Sequence, residues 1–221
     1  MNDIELDSDL DFKDIDFSDF DFNLSEEKEQ IRYLDVNAIL LQTDKKQRIT
    51  FNLNKQVKQI ESLINRLPNE NETFYFLSGK KGFSSIAIIE FISKFEHIKN
   101  LDVSTFRIGA KQAKIICDLG KAKKIDHAFF ITGNIKNMET SKYDYFTQIK
   151  TAFDKLGFKM MSTNNHSKVL LFETDNNFYV CETSSNLNEN PCLEQFSLSN
   201  SKELYYHYYQ IFKYFKTHAN I

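Results

Sequence analysis

The polar residues whose types and spacing could do chemistry lie in one stretch. Asn164-Asn165-His166-Ser167-Lys168 runs straight into the apolar segment Val169–Phe172 and then Glu173. Side chains two apart on a strand share a face, so a strand here projects His166 and Lys168 together, at the mouth of a buried run. An imidazole able to attack or to carry a proton, beside a fixed cation, is an economical arrangement for phosphoryl transfer. Ser184 and Asn186 repeat the two-residue spacing and add a hydroxyl and an amide that can donate to phosphate oxygens. Glu194 follows in Leu193-Glu194-Gln195-Phe196, on a further strand-like run.

The elements that must position these residues are legible from periodicity. Val57, Ile60, Leu63, Ile64 and Leu67 fall on one helical face that opens at Asn54 and stops at Pro68. From Phe74 strands alternate with helices: Phe74–Leu77, a helix over Phe83–Phe95, Leu101–Ile108, a helix over Lys111–Lys123, and Ala128–Thr132. A helix over Tyr145–Leu156 follows, with Gly157 suited to its C-terminal cap. The pattern then changes to strands alone, Phe158–Ser162, Lys168–Glu173, Phe178–Glu182 and Leu193–Leu198, before a Tyr- and Phe-rich helix over Lys202–Lys216. This order predicts an α/β fold, a mixed, largely parallel sheet with helices on both faces, which the later strands extend. Open sheets of this kind collect ligands at the carboxyl ends of their strands. Lys80 and Lys81, Arg107, and Asn134 all follow strands at that edge, as do Gly82, Gly109 and Gly133, and are expected to bind substrate.

Charge is segregated along the chain. Residues 1–22 hold nine acids and one base and carry −8 of a total of −3, so residues 23–221 carry +5. The acidic stretch repeats Asp-Phe or Asp-Ile units, from Asp11-Phe12 to Asp21-Phe22, a pattern of disordered interaction segments rather than of a strand. It is expected to fold back on the basic body or to dock another protein. Residues 1–24 are thus read as a disordered tail, 25–70 as an extension with one amphipathic helix, and 71–221 as the main domain. No run approaches the roughly 18 apolar residues of a membrane span, and the start lacks a signal-peptide centre, so a cytoplasmic protein without a membrane partner is expected. Three widely spaced cysteines, Cys117, Cys181 and Cys192, signal neither a disulfide framework nor a zinc site; reduced thiols are expected.

Taken with its spacing, the His166 stretch resembles the motif of the phospholipase D superfamily: His-x-Lys, four residues, an acid, then Gly-Ser-x-Asn. His166, Lys168, Ser184 and Asn186 match position for position, the acid falls on Glu173, and the glycine falls on Thr183. Nine residues separate Glu173 from Thr183, against the family's usual six, because Asp175-Asn176-Asn177 makes a longer turn. Glu194 is similar to a glutamate that follows the motif in the small bacterial endonucleases. The resemblance covers roughly residues 73–216.

What the resemblance implies is specific. His166 would attack phosphorus and form a phosphohistidine while a second histidine protonates the leaving oxygen. Lys168, Ser184 and Asn186 would hold the non-bridging oxygens, Glu194 would orient a histidine, and Glu173 would orient rather than react. No metal or cofactor is needed. His97, His127, His207 and His218 lack a lysine two residues on, so one motif per chain implies a homodimer. The expected function is a metal-independent nuclease or other phosphodiesterase acting on DNA or RNA. Glu173, Thr183 and the long turn keep open an alternative, a nucleic-acid-binding module of the same fold with weak or no activity.

Overall fold

The structure, a computed structural model, describes residues 40–42, 47–52, 60–61, 63–78, 83–133, 145–188 and 193–218, all within the unit Val36–Ile221. The acidic tail, Lys80, Lys81, Asn134 and Cys192 lie outside the described residues.

Among the described residues nine strands form one sheet: β1 (Leu40–Gln42), β2 (Gln47–Asn52), β3 (Thr73–Ser78), β4 (Ile98–Thr105), β5 (Ile125–Gly133), β6 (Lys159–Thr163), β7 (Val169–Thr174), β8 (Phe178–Thr183) and β9 (Glu194–Asn200). Four helices are described: α1 (Ile86–Phe95), α2 (Ala110–Lys121), α3 (Tyr145–Asp154) and α4 (Lys202–His218). The strand order is β1-β2-β3-β9-β8-β7-β4-β5-β6. Six strands run one way and β1, β7 and β9 run against them, so the sheet is α/β and mixed as expected. Neighbour by neighbour it is less parallel than the strand–helix repetition suggests, because each reversed strand creates antiparallel pairs: only β2–β3, β4–β5 and β5–β6 are parallel. The sheet also continues into the segment read as an extension, since β2 pairs with β3.

The position of β7–β9 matters most for the site. These strands do not extend the sheet at its edge; they sit between β3 and β4. The starts of β7 and β9 and the end of β8 therefore meet the carboxyl ends of β3, β4 and β5 along one rim. Alternation explains why this packing holds. Leu101, Val103, Phe130, Leu170, Phe172 and Cys181 face the main core, which also buries Ile89 and Ile92 of α1, Ile116 of α2 and Phe153 of α3. Phe129, Ile131, Leu171 and Val180 face the other way and pack under Tyr205 and Phe212 of α4. At the end of α3, Gly157 adopts φ 74° and the Phe158 amide returns to the Phe153 carbonyl at 3.0 Å, the cap its sequence position predicts.

Candidate active site at the carboxyl rim of the sheet

The rim gathers the polar residues singled out by spacing. His166 and Lys168 do meet, but not as neighbours on a strand, since β7 begins only at Val169. Instead the chain turns around Asn165. The Asn165 Oδ1 accepts the Ser167 amide at 3.0 Å and the Ser167 hydroxyl at 2.8 Å, an Asx-type turn. Its Nδ2 donates to Ser104 Oγ at 2.9 Å and to the carbonyls of Thr105 and Ile131 at 3.3 and 3.2 Å. Anchored to β4 and β5 in this way, the segment exposes His166, and Lys168 folds back so that its Nζ lies 2.9 Å from the His166 carbonyl and 3.3 Å from Nδ1.

An aromatic residue that spacing did not single out supports the imidazole. The Phe106 ring centroid lies 5.1 Å from that of His166, and the Arg107 guanidinium sits over the same ring at 5.3 Å. Gly133 makes room for it: a Cβ there would fall 2.2 Å from Phe106 Cδ2. The Gly133 amide also donates to the Phe106 carbonyl at 3.1 Å. Arg107 thus lies near the rim, over Phe106. The one legible hint was the placement of Phe106 between a strand end and Arg107.

Ser184, Asn186 and Glu194 come together on the same rim. Ser184 is exposed, donates its hydroxyl proton to the buried Glu194 carboxylate, and accepts the Gln195 amide at 3.1 Å. The Asn186 Oδ1 accepts the Phe106 amide at 3.1 Å and the Thr105 hydroxyl at 3.5 Å, which leaves its NH2 group as a free donor among the described residues. Ser85, at the start of α1, clamps this loop from below by donating to the Ser185 carbonyl at 2.7 Å. Glu194 opposes Ser78 at the end of β3, and its amide donates to the Ser78 hydroxyl at 3.1 Å. Thr183, where a glycine falls in the resembling motif, is tied into the backbone: its hydroxyl donates to the Gln195 carbonyl at 2.8 Å and accepts the Ser185 amide at 2.9 Å.

Glu173 is not brought to the rim. Five residues of strand, roughly 16 Å, separate it from Lys168, and it accepts Asn100 Nδ2 at 2.8 Å. The longer Asp175–Asn177 turn lies at that far edge too, closed by the Thr174 amide on the Asn177 carbonyl at 3.0 Å, so the extra length leaves the rim undisturbed. Near the middle of β4, Asp102 is buried against Lys216 of α4, whose Nζ lies 2.6 Å from Oδ1. Burial pushes its carboxyl above the usual carboxylate range, against the pull of Lys216. Cys181 is likewise pushed up by burial, and it and Cys117 are free, buried thiols. Among the described residues no three His, Cys, Asp or Glu side chains are grouped to hold a metal ion, and no helix is long and apolar enough to cross a membrane.

No protein-family model matches the sequence, and neither does any curated protein. Solved structures do match. A polyphosphate kinase from Porphyromonas gingivalis superposes with a TM-score of 0.51 at 7% identity, over 66% of this chain and 26% of that one, so this chain spans about a quarter of the kinase. The yeast tyrosyl-DNA phosphodiesterase is similar at a TM-score of 0.32 and 11% identity, over 50% of this chain and 28% of that one, too loose a superposition to bear weight. This likeness is one of fold: the chain shares its α/β arrangement with part of that kinase.

Proposed function

We propose that the protein is a phosphodiesterase that cleaves nucleic acid through a phosphohistidine, as a homodimer. The observation that carries this reading is the convergence on one rim of an exposed imidazole with a lysine, a hydroxyl on a buried carboxylate, and a clamped amide whose protons are free among the described residues. The fold it shares with a polyphosphate kinase is compatible with phosphoryl transfer.

In the proposed reaction a His166 ring nitrogen attacks phosphorus and the bond to the leaving oxygen breaks. A second histidine gives that oxygen a proton, then takes one from the water that releases the phosphoryl group. With Lys168 donating to Nδ1, a neutral His166 carries its proton on Nε2. Attack through Nε2 therefore requires Lys168 to swing onto a phosphate oxygen and free Nδ1 for the proton. Asn186 donates to the same charge, and Glu194, through Ser184, orients the donors around it. Glu173 acts only at a distance, through the packing of β7. His97 precedes β4 and His127 lies near the start of β5, both at the edge away from the rim, and His207 and His218 are exposed on α4. The second histidine is accordingly assigned to a second copy of the chain.

The alternative, a nucleic-acid-binding module without turnover, draws on the resting hydrogen bonds: Ser184 donates to Glu194 rather than outward, and Lys168 holds Nδ1. Incubation with single- and double-stranded DNA and RNA in EDTA separates the two. Cleavage supports the phosphodiesterase, and binding without cleavage supports the module.

A further inference from the structure

The face of the sheet that carries α4 is covered by that helix over β7 and β8, and a cavity of about 640 Å³ opens on the same face beside it, across β7, β8, β9 and β3. Its floor follows one cross-strand row. Val169 pairs with Glu182, Glu182 with Ser197, and Ser197 with Tyr75, so these four residues stand side by side on one face. Three strand spacings make the row roughly 14 Å long. Lys168 lines the same cavity at the β7 end, which makes it continuous with the candidate active site.

We propose that this row is a nucleoside-binding groove for the substrate residue next to the scissile phosphate, with Tyr75 as a stacking platform and Gln195 as a hydrogen-bonding partner of the base. The proposal rests on the phosphodiesterase reading for the direction it gives the groove: phosphate at Lys168, base toward Tyr75. The lining favours a base over a second phosphate. Among its described lining residues Lys168 is the one cation, and Glu182 contributes a carboxylate that accepts Tyr208 and Ser197 and repels further anionic groups. Tyr75 is 38% exposed although it sits on an inner strand between β2 and β9, so its ring is open to a planar partner. Gln195 is exposed, and its side-chain amide makes no hydrogen bond among the described residues while its backbone is held by Thr183 and Ser184. The volume falls within the range of small-molecule sites, roughly 300–1,000 Å³.

The test uses the full chain carrying His166→Ala, so that the probe survives, and a fluorescein-labelled single-stranded oligonucleotide read by anisotropy. Adding Tyr75→Ala should weaken binding by roughly tenfold, the size of one lost base–aromatic stack, and Tyr75→Phe should restore it. Gln195→Ala, on an exposed side chain, should weaken binding several-fold and covers the case in which Tyr75→Ala fails to fold. Unchanged affinity in both variants overturns the groove. So does conversion of a dimer to a monomer by Tyr75→Ala, which would place a second copy of the chain on this row. Hydrolysis of bis(4-nitrophenyl) phosphate by the unmutated protein is measured alongside and reports the phosphodiesterase reading separately. If that diester survives while binding still depends on Tyr75, the groove stands on a non-catalytic module and the phosphodiesterase reading fails.

Discussion

Replacing Gly133 with alanine tests how the rim holds His166. The new methyl would stand 2.2 and 2.6 Å from two carbons of the Phe106 ring, far inside normal contact, and 3.0 Å from the Asn165 carbonyl, a tight approach. The ring is the softer neighbour, so it must rotate away. Overpacking of this kind costs about 1–3 kcal/mol of stability, and the loss of Arg107 from the ring face adds about 0.5–1 kcal/mol. The chemical consequence should be of similar size. Phe106 packs on His166, and a misplacement of about 1 Å in a reacting group can lower a rate by about 100-fold, or about 2.7 kcal/mol of barrier. Urea titration would measure the first effect, and turnover of bis(4-nitrophenyl) phosphate the second. The His166 imidazole resonance would report the displacement even without turnover. Removing the ring with Phe106→Ala in the Gly133→Ala chain should recover stability, a coupling of about 0.5–3 kcal/mol in a double-mutant cycle. A Gly133→Ala protein with unchanged stability would show that the ring has room to move. One that is destabilised but keeps the imidazole resonance and full turnover would refute the role given to Phe106.

Other expectations are simpler. His166→Ala should abolish turnover with an unchanged unfolding midpoint, because the side chain is exposed; persistent activity would remove it from the chemistry. Lys168→Ala should cost about 2–4 kcal/mol of transition-state stabilisation, as lost oxyanion donors do, read as a fall in kcat/KM. Sedimentation should give about twice 26.0 kDa, and mixing His166→Ala with unmutated chains should give heterodimers of crippled activity, whereas a fully active monomer would exclude the shared site. Asp102 should make stability depend on pH: its carboxyl titrates higher folded than unfolded, so the native state holds the proton more tightly. Its contribution to stability should be greatest below the unfolded value of about 3.9, and should be lost as pH rises through the folded one. Asp102→Asn should remove that slope, and Lys216→Met should carry the fall to higher pH; urea midpoints across the acid range would decide.

Much of the architecture is local information. The 3.6-residue period of Ile86–Phe95 and the short unbroken apolar runs of β5, β7 and β8, buried on both faces, follow from which side chains must leave water, and a chain shows that in any register. The spacing of His166, Lys168, Ser184, Asn186 and Glu194 was equally visible, because side chains near one another along adjacent strands arrive at one rim together. What spacing could not decide is non-local. That β7–β9 lie between β3 and β4 depends on pairings such as Val103 with Leu170 and Phe76 with Phe196, which compete on the whole core rather than on any segment. That His166 and Lys168 meet through a turn, not a strand, depends on Asn165 reaching Ser104 and Ile131, more than thirty residues away. The fit of Phe106 over Gly133 was hidden for the same reason, whereas the distance of Glu173 from the rim follows from five residues of one strand. Residue types name the donors and nucleophiles, but only close packing of distant segments sets which of them can touch.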